Sequence, residues 1–230
     1  MHLVLSGEGN SDLGLFCQYN NEFIAGSMYY IIDKIIEQKY DISYYDYKDN
    51  MITFIPKIEL IKIGKKLPPY TGKKIQKGQA LFLINAITLA KIAKKRAEEL
   101  DEDVIAVLFR DSDGTNSTIK GMWEDKLKSI ENGFEIEDFN KGVAMIPKPK
   151  SEAWLLCALQ NNSYQNCIKL ESRSGNDDSP NSLKNELEKL NISNNEINDR
   201  IKNSKIDIAK IDMPSFIYFK DRLNLLLGHK

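Results

Sequence analysis

Short apolar runs alternate with longer amphipathic stretches over residues 1–160 of the chain. The runs at 3–5, 104–109 and 143–146 are continuous, as in strands that are buried on both faces of a sheet. The segment 42–55 is rich in Tyr, Ile, Thr and Phe and predicts one or two further strands. Between these runs the pattern predicts helices at 27–38, 79–100, 118–132 and 151–160, with Gly133 as a C-cap and Ser151 as an N-cap. Strands that alternate with helices predict an α/β fold with a mostly parallel sheet.

The last part of the chain, residues 161–230, has a different pattern. A polar segment at 171–181 predicts a loop, and 182–190 and 194–203 predict polar helices. Pro214 suits the first turn of a final helix. The apolar face of that helix would consist of Phe216, Phe219, Leu223 and Leu226. We therefore expect a helical appendage at 161–230 that packs on the α/β core of residues 1–160.

Composition narrows the class of protein. The chain has 230 residues, of which 42% are hydrophobic and 28% charged, and this balance excludes an intrinsically disordered chain. The three cysteines include no CxxC pair, so we expect no disulfide framework and a reducing compartment. The chain has no apolar run of about 18 residues, and its first residues lack the features of a signal peptide. These features predict a cytoplasmic protein that does not contact the membrane.

The positions of the two histidines limit the catalytic mechanisms that the chain could use. The two histidines, His2 and His229, lie at opposite ends of the sequence. That arrangement excludes a histidine-rich zinc site and disfavours a nucleophile activated by histidine. Catalysis would therefore rest on carboxylates, lysines and arginines, with or without a metal ion.

The net charge of -1 conceals a basic segment. Residues 60–97 contain no Asp or Glu and carry Lys62, Lys65, Lys66, Lys73, Lys74, Lys77, Lys91, Lys94, Lys95 and Arg96. Part of this segment, 64–78, also contains Pro68, Pro69 and Gly72, which predict a loop or an irregular hairpin within a basic insertion at about 57–78. Such a segment can bind the phosphate backbone of a nucleic acid, or it can be a solvated loop followed by the exposed face of a helix.

Acidic residues follow two of the predicted strands. Glu8 lies between two glycines directly after the first strand, with Asp12 close behind it, and Asp111 and Asp113 follow the strand at 104–109. Ligands of open parallel sheets bind outside the carboxyl ends of the strands. Carboxylates on neighbouring strands repel one another unless a proton or a cation intervenes, and Mg²⁺ prefers such oxygen ligands. The pattern favours a Mg²⁺ or Mn²⁺ site, although either cluster alone also fits a polar turn or a helix start.

These two clusters resemble the signature of the TOPRIM fold, which primases, type II and IA topoisomerases and OLD-family nucleases share. The matching residues are Glu8-Gly9-x-Ser11-Asp12 after the first strand and Asp111-x-Asp113 after a later one. The resemblance implies a TOPRIM/Rossmann-like sheet flanked by helices. It also implies that Glu8 is the acid/base or a metal ligand, that Asp111 and Asp113 bind Mg²⁺, and that Asp12 is a second acid of nuclease versions.

The segment 147–156 is similar to a stretch of a TOPRIM-like family of unknown function that is found beside bacterial and phage-defence genes. The matching residues are Pro149, Glu152, Trp154, Leu155 and Leu156. This resemblance implies a role in anti-phage defence with a partner protein. Glu152 would be either a fourth metal-site carboxylate or an acid favoured by the start of a helix, and Trp154 fits the core better than a base-stacking surface.

Two other functions stay open. The segment 107–115 also resembles the first motif of HAD-type phosphatases, in which Asp111 would be the nucleophile, Asp113 the acid/base and Lys148 the phosphate-binding lysine. That motif normally opens the domain, and Arg110 stands where the family usually has an apolar residue. The chain could also be a non-catalytic TOPRIM-like scaffold that binds a partner.

The leading hypothesis is a metal-dependent nuclease that cleaves DNA or RNA. Asp111 and Asp113 would hold one Mg²⁺ or Mn²⁺ ion, and Glu8 with Asp12 or Glu152 would hold a second ion or orient the attacking water. The positive charges expected to contact the nucleic acid are those of Lys65, Lys66, Lys73, Lys74, Lys77, Arg110 and Lys148.

Overall fold

The computed structural model describes residues 1–17, 22–68, 79–112 and 122–228, without the side chains of Asn10 and Met122. Several predictions fall outside these ranges: the start of the helix expected at 118, the metal ligand Asp113, and the basic residues Lys73, Lys74 and Lys77.

The predicted α/β fold with a mostly parallel sheet is confirmed. The strands of the described residues are β1 (His2–Gly7), β2 (Gly14–Phe16), β3 (Phe23–Ala25), β4 (Ile52–Pro56), β5 (Val104–Phe109) and β6 (Gly142–Met145). Four of them form a parallel sheet in the order β4-β1-β5-β6, with Leu5 of β1 opposite Phe54 and Val107 on its two sides. The short strands β2 and β3 pair antiparallel between β1 and the first helix.

Helices cover both faces of the parallel sheet. They are α1 (Ser27–Tyr40), α2 (Lys48–Met51), α3 (Lys57–Gly64), α4 (Ala80–Leu100), α5 (Met122–Ile136), α6 (Ser151–Leu159), α7 (Leu183–Lys189), α8 (Asn194–Lys202) and α9 (Pro214–Leu226). Side chains of a strand alternate between the faces, so Leu3 and Leu5 pack with α1 and with α6 to α9, whereas Val4 packs with α3, α4 and α5. The result is a layer of helices on each side of one sheet.

The predicted helical C-terminal region is confirmed, and aromatic residues join it to the core. The Trp154 ring of α6 is fully buried and lies 5.0 Å from the ring of Phe216 and 5.8 Å from that of Phe219, centroid to centroid. The Trp154 indole donates to the Ser215 hydroxyl, which in turn donates to the buried carboxylate of Glu171. Trp154 is therefore a core residue.

The prediction that Gly133 ends a helix was wrong. Gly133 does not end α5, which continues to Ile136; a Cβ at Gly133 would collide with Ala86 of α4, so this glycine lets two helices approach closely. The segment 42–55, for which one or two strands were predicted, contains one, β4. Its first half forms turns because the Asp33 carboxylate accepts hydrogen bonds from the backbone N–H groups of Tyr44 and Tyr45.

A disulfide joins Cys157 at the end of α6 to Cys167, which the cysteine count did not predict. The two residues are separated by 10 positions, and their Cα atoms lie 5.1 Å apart because the chain turns back immediately after α6. Cys17 is the remaining cysteine and is free. No helix in the described ranges is both long and apolar enough to cross a bilayer.

Candidate active site at the carboxyl ends of β1 and β5

The chain leaves the neighbouring strands β1 and β5 towards opposite faces of the sheet. After β1 it forms α1 on one face, and after β5 it forms α5 on the other. Such a switch point opens a crevice at the carboxyl ends of the two strands, which is where open α/β sheets bind their ligands. Glu8 follows β1 directly, and Asp111 lies two residues beyond β5.

A cleft of about 900 Å³ lies at this point. Its charged lining consists of the carboxylates of Glu8, Asp12 and Asp111 and the ammonium groups of Lys57 and Lys150. The β2–β3 hairpin and the start of α3 form the rest of its wall. Glu8 and Asp12 of the first acidic cluster therefore share one cavity with Asp111 of the second, as expected for residues that follow neighbouring parallel strands.

A hydrogen bond joins the two clusters directly. The backbone N–H of Asp111 donates to Oε1 of Glu8 over 3.0 Å, although the two residues are 103 positions apart in the chain. The other carboxylate oxygen of Glu8 forms an ion pair with Lys57. Sequence reasoning missed Lys57, yet it was within reach of the same rule, because Lys57 is the first residue after β4.

Ser151, the first residue of α6, contacts the carboxylates of the site. The backbone N–H of Ser151 donates to Oδ1 of Asp111 over 2.9 Å, and its hydroxyl donates to Oδ1 of Asp12 over 2.7 Å. The same hydroxyl lies 3.5 Å from Oε2 of Glu152. Ser151 was predicted as the N-cap, but Lys150 occupies that position and the Ser151 side chain instead contacts Asp12.

The surroundings of Asp12 disfavour its charged form. Burial, together with the negative charges of Glu152 and Glu8, raises the pKa of Asp12 to about 6, although the Ser151 hydrogen bond and the charge of Lys150 oppose that shift. The Asp12 side chain occupies the space where a Cβ on residue 9 would lie, and Gly9 adopts a φ of 78°. Only glycine fits this turn without strain. A proton or a cation beside Asp12 would relieve the repulsion.

The donor set suits a hard cation. Mg²⁺ and Mn²⁺ prefer oxygen ligands, and Mg²⁺ often needs only one or two carboxylates because it retains water. Glu8, Asp12, Asp111 and Glu152 supply oxygen alone. Within the described ranges, no three His, Cys, Asp or Glu residues form a group that could hold an ion together. Asp113, the other predicted ligand, lies outside them.

Arg110 is buried, with 2% of its surface exposed. Its Nη1 donates to the carbonyl of Phe109 over 2.6 Å, whereas Nε and Nη2 have no hydrogen-bond partner among the residues that the structure describes. Burial lowers the pKa of Arg110 to about 10, and the carboxylate of Glu8 opposes that shift. The structure thus places Arg110 inside the protein and not on the surface, where the predicted contact with nucleic acid would form, and its positive charge interacts with Glu8.

The predicted nucleic-acid lysines differ in their surroundings. Lys65 and Lys66 are exposed directly after α3. Lys148 lies 3.6 Å from a carboxylate oxygen of Glu124 and 5.7 Å from the centre of the Trp123 ring. Lys150, which is not among the lysines named above as expected nucleic-acid contacts, lines the cleft with Asp12 and forms an ion pair with Asp177. Of these four lysines, Lys150 is the one that lines the cleft.

Comparison with known proteins does not assign this chain to a family. No family model, no curated protein and no solved structure matches this chain.

Proposed function

We propose that this chain is a metal-dependent nuclease that hydrolyses phosphodiester bonds of DNA or RNA at a TOPRIM-type carboxylate site. One observation carries the proposal: Glu8 and Asp111 meet at the switch point of the sheet, with Asp12 and Glu152 gathered around Ser151. A cytoplasmic role in bacterial anti-phage defence, with a partner protein, rests on the family resemblance alone.

Each residue of the cleft has a task in this reaction. Mg²⁺ or Mn²⁺, when bound, would supply the positive charge that phosphoryl oxygens need in the transition state. Asp111 and Asp113 would hold it, with Glu8, Asp12 or Glu152 completing the set. Glu8, which lines the same cleft, would orient the attacking water and accept its proton.

Positive side chains offset the charge of the substrate. Lys57 and Lys150 line the cleft beside the carboxylates and can exchange their present ion pairs for a phosphate. Lys65 and Lys66, with Lys73, Lys74 and Lys77 further along the same segment, would bind the backbone without reading its sequence. Affinity should therefore fall steeply as the salt concentration rises.

A cleavage assay tests the proposal. Plasmid, single-stranded DNA and RNA are incubated with Mg²⁺ or Mn²⁺ and with the parent, Glu8→Gln or Asp111→Asn protein. We expect each substitution to lower cleavage by about 100-fold or more, because it removes a group that contacts the reacting atoms or their cation. Asp103→Asn is the matched control, since Asp103 directly precedes β5 whereas Asp111 follows it, and it should cleave like the parent.

The alternatives give different results in the same assay. Turnover of p-nitrophenyl phosphate without cleavage of any nucleic acid would replace the nuclease by a phosphatase with Asp111 as nucleophile. No turnover, together with no metal binding by calorimetry, would favour a scaffold. Equal cleavage by the parent and the Asp111→Asn protein would reject the site.

A further inference from the structure

One wall of the cleft is apolar and faces the carboxylates. It includes Leu15 and Phe16 of β2, Ile24 of β3, Phe54 of β4 and Ile58 of α3. Ile24 is 47% exposed and Ile58 69% exposed, and both line a cavity whose other side is charged. Large apolar side chains that are exposed together beside polar groups are typical of a ligand-binding surface.

Aromatic packing holds this wall in place. The Phe16 ring meets Phe23 and Phe54 edge to face, with centroids 6.3 Å and 5.6 Å apart. Phe23 and Phe54 are buried, whereas Phe16 is half-buried and lines the cleft. The hairpin therefore presents Phe16 on a fixed support, and Leu15, Ile24 and Ile58 line the same cleft.

We propose that this apolar wall binds an unstacked nucleobase of a single-stranded nucleic acid while the adjoining phosphate lies among Lys57, Lys150 and the carboxylates. The inference rests on the proposed nuclease function and names its substrate class. A base has a flat apolar face that stacks on an aromatic ring, and the attached phosphate matches the two lysines in charge. The cleft of about 900 Å³ is within the size range of small-molecule pockets and can hold both parts.

A duplex would leave the wall without a ligand. Its bases are paired and stacked inside, so only its phosphates could reach the cleft. A single strand can turn one base outward at little cost, and sequence-tolerant stacking is how proteins bind such strands. The wall thus favours single-stranded DNA or RNA as the substrate.

Cys17 provides a reporter for this cleft. It lines the cavity and is the one cysteine outside the disulfide, so alkylation by N-ethylmaleimide can be followed at a single residue by mass spectrometry. The probe is a phosphorothioate oligothymidine, which resists hydrolysis, in the presence of Mg²⁺. The comparison is an abasic oligomer with the same length and backbone.

We expect oligothymidine to protect Cys17 at about tenfold lower concentration than the abasic oligomer, since stacking on one aromatic side chain is worth about that factor or more. Ile24→Ser with Ile58→Ser should remove the difference while leaving the phosphate contacts. Phe16→Ala should do the same, as a second variant. The control is Ile42→Ser with Ile168→Ser, because Ile42 is 47% and Ile168 60% exposed outside the cleft, and it should keep the difference.

Equal protection by the two oligomers, or a difference that survives in the Ile24→Ser, Ile58→Ser protein, would overturn the base-binding wall. Protection by a duplex as strong as by the single strand would overturn the substrate class. Cleavage of nucleic acid with equal protection would leave the nuclease standing and reject this inference alone. Base-dependent protection without cleavage of any substrate would reject the nuclease and retain the binding site.

Discussion

Ser151 uses its backbone and its side chain for different contacts at the site. The backbone N–H binds Asp111 and would remain in any variant, whereas the hydroxyl binds Asp12 and depends on the side chain. Ser151 is 1% exposed, so water cannot readily replace the hydroxyl. A hydrogen bond to a buried carboxylate is stronger than one between neutral groups.

We expect Ser151→Ala to lower the free energy of unfolding by about 2 kcal/mol, because it leaves the half-buried Asp12 carboxylate without the hydrogen bond from this hydroxyl. Ser129→Ala is the control. Ser129 is also buried on a helix, but its hydroxyl donates to the carbonyl of Asp125 in the same helix, and its loss should be about 1 kcal/mol or less. Denaturant unfolding near neutral pH measures both, and equal losses would contradict the role assigned to Ser151.

The site shows which residues a sequence can reveal. Glu8 and Asp111 were predicted to meet because both follow strands of one parallel sheet, and Lys57 obeys the same rule although it was not proposed. Ser151 could not be assigned, since nothing in its neighbourhood indicates that its hydroxyl contacts Asp12, which is 139 positions away. Burial of Arg110 was equally hidden, because an arginine after a strand is usually exposed.

Helix α6 links the site to the C-terminal region. It begins at Ser151 beside the carboxylates and carries in its last turn Cys157, which the disulfide joins to Cys167. The segment after Cys167 carries Glu171, whose carboxylate accepts from the backbone N–H and the hydroxyl of Ser215 at the start of α9. The disulfide therefore fastens α6 to the segment that anchors the last helix.

Removing this disulfide should lower the free energy of unfolding by about 2–3 kcal/mol, from the loss of a short loop constraint in the unfolded chain. The comparison is the parent against Cys157→Ala with Cys167→Ala, by denaturant unfolding without reductant. Cys17→Ala, which leaves the disulfide intact, should unfold like the parent. If the double variant matched the parent, or if mass spectrometry found three free thiols in the parent instead of that of Cys17 alone, the disulfide would not contribute.

Helices and strands with strong patterns were predictable, and contacts between elements were not. The continuous apolar run at Val104–Phe109 specified β5, because a strand buried on both faces needs apolar residues throughout. Gly133 was expected to end a helix, yet its close contact with Ala86 of α4 depends on how two helices pack. In the same way, Tyr44 and Tyr45 favour a strand by propensity, and the Asp33 carboxylate overrides it.

The candidate site and the buried side chain of His2 lie at opposite ends of the parallel sheet. The candidate site lies at the carboxyl ends of the strands, and His2 lies at the amino end of β1. The ring of His2 lies 3.0 Å (Nδ1) from the carbonyl of Asn50, which can only accept, and 2.8 Å (Nε2) from the hydroxyl of Thr53. The neutral ring therefore donates at Nδ1 and accepts at Nε2 from the Thr53 hydroxyl, and a second proton would require that hydroxyl to accept instead of donate.

The burial of His2 makes the free energy of unfolding depend on pH, and the stability contributed by His2 decreases as the pH falls. Burial lowers the pKa of His2 from its ordinary value of 6.5, so the unfolded chain binds a proton there more readily than the folded chain does. The stability that His2 contributes is thus complete above pH 6.5 and is lost as the pH falls through the folded pKa. Burial raises the pKa of Asp33 and Asp12, and these carboxylates change stability in the opposite direction, so only a difference between variants isolates the histidine.

We expect the free energy of unfolding to fall less in His2→Gln than in the parent when the pH is lowered from about 7 to about 5. The difference should reach about 1.4 kcal/mol for each pH unit over which the histidine is protonated in the unfolded chain but not in the folded one. His229→Gln, which changes the other histidine, should follow the parent. Unfolding measured by denaturant at each pH gives the comparison, and parallel slopes for the parent and His2→Gln would refute the assignment. Because His2 is at the far end of the sheet, His2→Gln should leave unchanged the nucleic-acid cleavage per folded molecule that the proposed function predicts, so that stability changes without a change at the candidate site.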